Sequence, residues 1–78
     1  MIRELTKLSN GRYSSHGGLP WFRELSPEAT KETAHDAAVA WCTRYEKADR
    51  FGNMAQVLGV IRNGDKWCGV VNFFHSNT

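Results

Sequence analysis

The sequence lacks the features that mark an exported or membrane-embedded protein. Its apolar stretches run only a handful of residues, which is too short for a transmembrane helix. The N-terminal stretch MIRELTKLSNGRY contains no apolar core of the kind that a signal peptide needs. Cysteine is scarce, and Cys42 and Cys68 are expected to be free thiols in a chain that is not exported. These absences predict a cytoplasmic protein with no membrane partner.

Charge of a single sign is also lacking. Ten Lys and Arg stand against eight Asp and Glu, for a net charge of +2, and no run of like charges occurs. A strongly basic nucleic-acid binder or an acidic mimic of DNA would show a much larger imbalance. The charge therefore favours solubility without identifying a partner.

Motifs that carry chemistry are missing as well. No Cys-x-x-Cys pair and no phosphate-binding glycine loop occurs, and the three histidines and two cysteines do not stand at the short spacings of structural zinc sites. Cys42 falls within a predicted helix and Cys68 within a predicted strand, where packing is the simpler role. We therefore expect a protein that is not an enzyme, with no catalytic residue, no metal and no cofactor.

What the sequence does contain is enough apolar surface for one core. The 78 residues are 41% hydrophobic and 12% aromatic, far from the composition of a disordered chain. A chain of this length forms one domain, which we place at residues 1–78.

One long helix is predicted at residues 27–50. Ser26 is a suitable N-cap, Pro27 suits the first helical position, and Gly52 suits the end of the helix. Helical periodicity puts a mostly small apolar stripe on one side, formed by Ala34, Ala37, Ala38, Trp41, Tyr45 and Ala48.

A hairpin is predicted after the helix, with strands 54–62 and 65–74 around an Asn63-Gly64 turn. In that register the larger, more aromatic face would meet the helix, and it holds Met54, Gln56, Leu58, Val60, Trp67, Gly69, Val71 and Phe73. The other face would hold Val57, Ile61, Cys68, Val70 and Phe74, which is too apolar to be fully solvated.

The N-terminal part is less regular. Residues 2–8 repeat Ile2, Leu5 and Leu8 every third position, as in a short helix, whereas Asn10-Gly11 favours a hairpin of two strands. The stretch from His16 to Leu25 is interrupted by Gly17, Gly18 and Pro20, as loops are, although it carries several large apolar side chains. The fold predicted from the hairpin interpretation is α+β, a small antiparallel sheet of four strands in ββαββ order with the helix on one face.

Two coverings of the second apolar face are open. The segment Leu19–Leu25 would fold back over it, or a second molecule would dock there. The second covering would make that face a functional interface, and a homodimer is one form of it.

The function predicted from these features is protein–protein binding by a non-enzymatic protein. Aromatic side chains and arginine dominate binding hot spots, so the expected contact residues are Trp21, Phe22, Arg23, Val57, Val70 and Phe74. The alternative is a nucleic-acid-binding protein that uses basic side chains at the hairpin tips and late in the helix: Arg12, Arg44, Lys47, Arg50, Arg62 and Lys66.

In general type the chain is similar to the small accessory proteins that bacteriophages and mobile elements encode. Some of these, anti-CRISPR proteins among them, inhibit a host machine by occupying its surface. The similarity lies in small size, the absence of an active site and a spare apolar surface, and no motif connects the chain to one such family. It implies a protein partner and no cofactor.

Overall fold

The computed structural model describes residues 1–15, 17–47 and 52–75. Its elements are strand β1 (Glu4–Leu5), strand β2 (Trp21–Glu24), helix α1 (Lys31–Lys47), strand β3 (Met54–Asn63) and strand β4 (Lys66–Phe74). The four strands form one sheet in the spatial order β1-β3-β4-β2, and α1 packs on β3 and β4. The α+β class and the ββαββ order are confirmed. No helix in the described ranges is long and apolar enough to cross a membrane.

The sheet is mixed, which corrects the prediction of an antiparallel sheet. β1 runs parallel to β3, with Glu4 opposite Val60, whereas β2–β4 and β3–β4 are antiparallel. The Asn10-Gly11 turn does form: Leu8 N–H donates to Arg12 O at 2.6 Å, and Gly11 has a φ of 82°. However, the chain before this turn pairs with β3, and in the described residues the two sides of the turn are joined by a Lys7–Tyr13 bridge and by a hydrogen bond from Ser14 N–H to Thr6 O at 2.8 Å.

The second strand lies where the sequence predicts a loop. β2 begins directly after Pro20 and pairs with β4, so that Trp21 is opposite Phe73 and Glu24 is opposite Val70. Its aromatic residues favour extended structure, and the glycine and proline punctuation ends just before it.

The helix begins four residues later than predicted, at Lys31. Glu28 is still extended, because its N–H and C=O pair with Trp67 at 2.6 and 2.8 Å. Thr30 then caps the helix: its hydroxyl accepts from Thr33 N–H at 3.1 Å, and its C=O accepts from Ala34 N–H at 3.0 Å. The predicted end, residues 48–50, lies outside the described residues.

The register of the β3–β4 hairpin differs from the prediction in two ways. Asn63 pairs with Lys66, so Gly64 and Asp65 form the turn, with Gly64 at a φ of 64°. In addition, Leu58 is an extra residue in a bulge between Val57 and Gly59. A bulge of this kind reverses the alternation of side chains. As a result, Met54, Gln56 and Leu58 do not face α1, and Ala55 and Val57 do.

The sheet therefore separates two groups of core side chains. On the face toward α1, called the helix face, Ala38, Cys42 and Val71 are buried with half-buried neighbours from α1, β3 and β4. On the opposite face, called the back face, the buried residues are Leu5, Tyr13, Leu58 and Val70, with Phe22 and Ile61 packed against them.

The chain's own N-terminal segment, residues 1–15 and 17–19, covers the back face. Leu5 and Tyr13 are 6% and 9% exposed there. The predicted covering by Leu19–Leu25 is wrong in the main, because that stretch forms β2 and contributes only Phe22 to this core. Val70 beneath the segment is completely buried, so this part of the predicted apolar face is not open to a second molecule.

Candidate functional site

The helix covers only part of its face of the sheet. α1 packs on β3 and β4, and β2 lies beyond β4 at the edge. A groove of about 360 Å³ therefore remains between α1 and the far edge of the sheet. We call it the β2 groove, and it is lined by Arg23, Glu24, Leu25, Ser26, Glu28, Ala37, Trp41 and Arg44.

Aromatic rings extend from this groove along the helix face. Trp41 stacks on Tyr45, with ring centres 4.8 Å apart, and meets the Phe73 ring at 5.5 Å. Trp21 lies 5.9 Å from Phe73 and stacks on Phe74 at the same distance. These five side chains form the aromatic cluster. Because Trp41 belongs to both the cluster and the groove, the two make one continuous surface.

Trp21 is the most accessible tryptophan of that surface, with 46% of its area exposed. Its ring contacts both Phe73 and Phe74, and these contacts restrict its movement although part of it meets water. A large ring that is both fixed and exposed can bind an apolar group with little loss of side-chain entropy.

Two arginines flank the groove. The ion pairs within the described ranges are Lys7–Glu24 at 3.2 Å and Lys31–Glu4 at 2.7 Å, so neither Arg23 nor Arg44 has a carboxylate partner there. Glu24 does reach the groove lining, but its carboxylate accepts from Tyr13 on the back face at 2.5 Å. The arginine guanidinium groups can therefore pair with a carboxylate from another molecule.

Some of the predicted contact residues adjoin the β2 groove, and the others are buried or half-buried elsewhere. Trp21 and Arg23 lie on the same face of β2, and Trp21 stacks on Phe74 of β4. Val70 is completely buried beneath the N-terminal segment, and Val57 is half-buried against α1. Phe22 points to the back face, 5.8 Å from the Tyr13 ring, and a partner at the β2 groove would not meet it.

The residues of the nucleic-acid alternative are dispersed. Arg12 lies in the N-terminal turn, and Arg44 and Lys47 lie late in α1. Arg62 and Lys66 lie at the β3–β4 turn, at the other end of α1, and the Arg62 guanidinium is bound to Gly64 O at 2.9 Å. Arg50 lies outside the described residues. The described members of the set do not form a continuous basic track of the kind that follows a nucleic-acid backbone.

Burial raises the pKa of the Cys42 thiol to about 11, which disfavours the reactive thiolate. In the part of the chain that the structure describes, no three His, Cys, Asp or Glu side chains are grouped so that they could hold a metal ion. That the protein is not an enzyme stays a prediction.

Two members of the surface were not evident as contact residues from sequence. Trp41 belongs to the predicted apolar stripe of the helix, and stripe positions are ordinarily buried. Its exposure to the groove follows from β2 lying outside the reach of α1, and this depends on strand order. Phe73 was also not evident as a contact residue. Its position on the helix face is predicted from sequence, but its contact with Trp21 exists because β2 lies beside β4.

Comparisons with protein-family models, with curated proteins and with solved structures find no match for this chain.

Proposed function

We propose that this protein is a non-enzymatic binding protein that acts through protein–protein contact, with the β2 groove and the adjoining Trp21 and Phe74 as its contact surface. The observation that carries the proposal is the combination of a fixed ring, 46% exposed, with two arginines that have no carboxylate partner in the described ranges. Tryptophan and arginine are the residue types most enriched in binding hot spots.

The apolar part of the surface supports this role. Burying the exposed side of Trp21 removes apolar area from water at about 25 cal/mol per Å². Because Phe73 and Phe74 already hold the ring, most of that gain remains after binding. The groove beside it gives a partner side chain a recess with Trp41 as one wall.

The charged part indicates what the partner presents. A carboxylate placed between Arg23 and Arg44 would form charge-assisted hydrogen bonds. Glu28 on the groove wall would repel a carboxylate placed close to it, which orients the partner. The expected partner segment therefore combines an apolar side chain with an Asp or Glu. A protein of this kind would act, as small phage-type accessory proteins do, by occupying a surface of a larger machine.

The test is a binding measurement on defined variants. Proteins captured by the wild-type chain from its host are identified, purified and titrated by calorimetry. We expect Trp21→Ala and Arg23→Glu each to weaken the complex by about tenfold or more. Arg12→Glu is the matched control, because Arg12 is exposed in the N-terminal turn and does not line the groove, and it should change affinity less than about twofold. Equal affinity of wild type and both groove variants would contradict the proposal.

The nucleic-acid and homodimer alternatives are separated by two further measurements. A gel shift against mixed DNA and RNA should show no salt-sensitive complex, whereas a nucleic-acid binder would lose affinity steeply as salt rises. Sedimentation should show a monomer at high protein concentration. A dimer dissociated by Trp21→Ala would mean that the partner at this surface is a second copy of the chain.

A further inference from the structure

A second cavity lies at the opposite edge of the sheet from the β2 groove. β1 pairs only with Val60 and Ile61, so the edge of β3 before those residues has no neighbouring strand in the described ranges. A cavity of about 290 Å³ lies at this edge. We call it the β3-edge pocket, and it is lined by Met1, Arg3, Ser15, Gly17, His35, Gln56, Val57, Leu58 and Gly59.

The lining of this pocket is rich in hydrogen-bond donors. Arg3 Nη1 donates to Ser15 Oγ at 2.8 Å, and the rest of its guanidinium retains further N–H donors. Arg3 forms no ion pair with any described carboxylate. His35 reaches the pocket from α1 and is half-buried. A guanidinium and an imidazole thus approach the same space from two different elements.

The backbone of β3 adds a donor at the same place. Ala55 N–H points away from β4 and donates to Glu46 Oε2 at 3.2 Å. Along an antiparallel strand the outward direction recurs at every second residue. The N–H of Val57 therefore points out from the same edge, and Val57 lines the pocket. The bulge that follows at Leu58 is a feature often found beside binding sites.

The pocket also excludes negative charge from its lining, which includes no Asp or Glu among the described residues. Glu4, the carboxylate next to Arg3 in sequence, is bound to Lys31 at 2.7 Å. Converging donors with one fixed positive charge and no lining carboxylate favour an anion. The volume lies just below the range of about 300–1,000 Å³ that drug-sized ligands occupy.

We propose that the β3-edge pocket binds a small oxyanion of the phosphate class, with Arg3 as the principal ligand and His35 and the Val57 N–H as additional donors. This site is independent of the β2 groove. Its existence would give the protein a small-molecule ligand in addition to a protein partner.

The test is an NMR titration of the full chain with inorganic phosphate at constant ionic strength. We expect saturable amide shifts centred on Val57 and Leu58. Arg3→Gln should weaken binding by about tenfold, because a charge-assisted bond to the guanidinium is lost. The substitution keeps the Arg3 backbone, whose C=O accepts from Val60 N–H at 2.8 Å. Arg12→Gln is the control and should leave the affinity unchanged.

Several results would overturn this assignment. These are shifts that do not saturate, shifts scattered over the surface, or an Arg3→Gln affinity equal to that of wild type. If Arg3→Gln fails to fold, His35→Gln replaces it, and unchanged affinity in that variant has the same meaning. A parallel titration with acetate distinguishes the ligand class, because acetate binding as tight as that of phosphate would rule out a phosphate site.

Discussion

The two faces of the sheet are covered by different means. The back face is closed by an irregular N-terminal segment that reaches over β3 and β4 and buries Leu5 and Tyr13. The helix face is covered by a regular helix that reaches β3 and β4 and leaves β2 open. A helix that sits close to a sheet protects only the strands directly beneath it, whereas a flexible segment can follow the surface. The β2 groove therefore lies on the side of the sheet that the helix covers.

The two covers are also held by different interactions. The end of the N-terminal segment is held by hydrogen bonds, from Gln56 to Gly17 O and between Leu19 and Asn72, which is completely buried. The helix is fixed by contact, because Ala34 and Ala38 are fully buried on β4 at the position of Gly69. Substitutions should reveal this contrast, and we give the expected losses from the largest to the smallest.

The largest loss is expected for Asn72→Ala on the back face. The Asn72 amide donates to Leu19 O and Trp21 O, both at 2.8 Å, and its oxygen accepts from Leu19 N–H at 3.0 Å. The same oxygen accepts from Gln56. Alanine would leave these partners unsatisfied and a cavity beside them, so the free energy of unfolding should fall by about 3 kcal/mol.

Urea denaturation at pH 7 measures this loss. Asn63→Ala is the matched control, because Asn63 is exposed at the end of β3 and should cost less than about 1 kcal/mol. Equal losses for the two variants would show that the N-terminal segment is held by apolar contact alone.

The next two substitutions each add a methyl group to the sheet beneath one of the covers, at Gly69 under the helix and at Gly59 beside the N-terminal segment. A Cβ at Gly69 would stand 2.6 Å from Ala34 O and 3.0 Å from the Ala38 Cβ, so Gly69→Ala must push the helix outward. A Cβ at Gly59 would stand 2.5 Å from Arg3 O, against β1. We expect losses of about 2 kcal/mol for Gly69→Ala and about 1 kcal/mol for Gly59→Ala, because a two-residue strand yields more easily than a helix.

Hydrogen exchange distinguishes the two glycine variants better than stability does. Gly59→Ala should increase exchange in β1 and its neighbours while α1 stays protected, and Gly69→Ala should increase exchange in α1. If both variants loosen the same amides, the two covers unfold as one unit and the contrast between them fails.

The features predicted from sequence are those that depend on neighbouring residues. The described part of the apolar stripe of α1, within residues 34–45, and the helix-face alternation of β4 follow from local periodicity, and both are present. The ββαββ order is also present, but its second strand is β2 and not the second half of an Asn10-Gly11 hairpin. The start of α1 was beyond such reasoning, because Ser26-Pro27 is as good a local start as Thr30. The start of α1 is set by the pairing of Glu28 with Trp67, which keeps the chain extended up to Glu28 and is a contact between distant parts of the sequence.

At the candidate site, too, residue types could be recognised from the sequence, whereas their arrangement depends on contacts between distant residues. The aromatic rings and Arg23 are recognisable by residue type, and Trp21 stacks on Phe74, but their role as contact residues stays a prediction. Val57 shares the face of Val70 only if β3 runs without a bulge, and the extra residue Leu58 turns Val57 toward α1 instead. The parallel β1–β3 pairing closes the back face, and nothing in the spacing of residues 2–8 indicates it.

A smaller, pH-dependent loss is expected for Tyr13→Phe on the back face. The Tyr13 hydroxyl donates to Glu24 Oε2, and this bond lowers the pKa of the Glu24 carboxyl, with further help from Lys7. A carboxyl whose pKa is lower in the folded state stabilises the fold when ionised. That stabilisation is complete above its ordinary pKa of 4.5 and disappears as the pH falls through the folded value.

Tyr13→Phe should therefore cost about 1 kcal/mol at pH 7 and less at pH 3, because below pH 4.5 the Glu24 carboxyl of the unfolded chain takes up a proton, and this reduces the stabilisation that the hydrogen bond provides. Urea denaturation at the two pH values measures the difference. Lys7→Gln is the comparison variant, since Lys7 is exposed and its pair with Glu24 should contribute less than the tyrosine at pH 7. A loss for Tyr13→Phe that is equal at both pH values would mean that the hydroxyl acts through packing only.

The smallest loss of stability is expected for Trp21→Ala on the helix face. Nearly half of Trp21 already meets water, and among the described residues its ring contacts are with Phe73 and Phe74. Its removal should therefore lower the free energy of unfolding by less than about 1 kcal/mol. Phe22→Ala, one residue along the same strand, removes a ring packed against the back-face core and should cost about twice as much or more. Thermal denaturation of the two variants side by side measures this contrast. A Trp21→Ala loss as large as that of Phe22→Ala would place Trp21 in the core, and the open part of the helix face would then lack the side chain on which partner binding most depends.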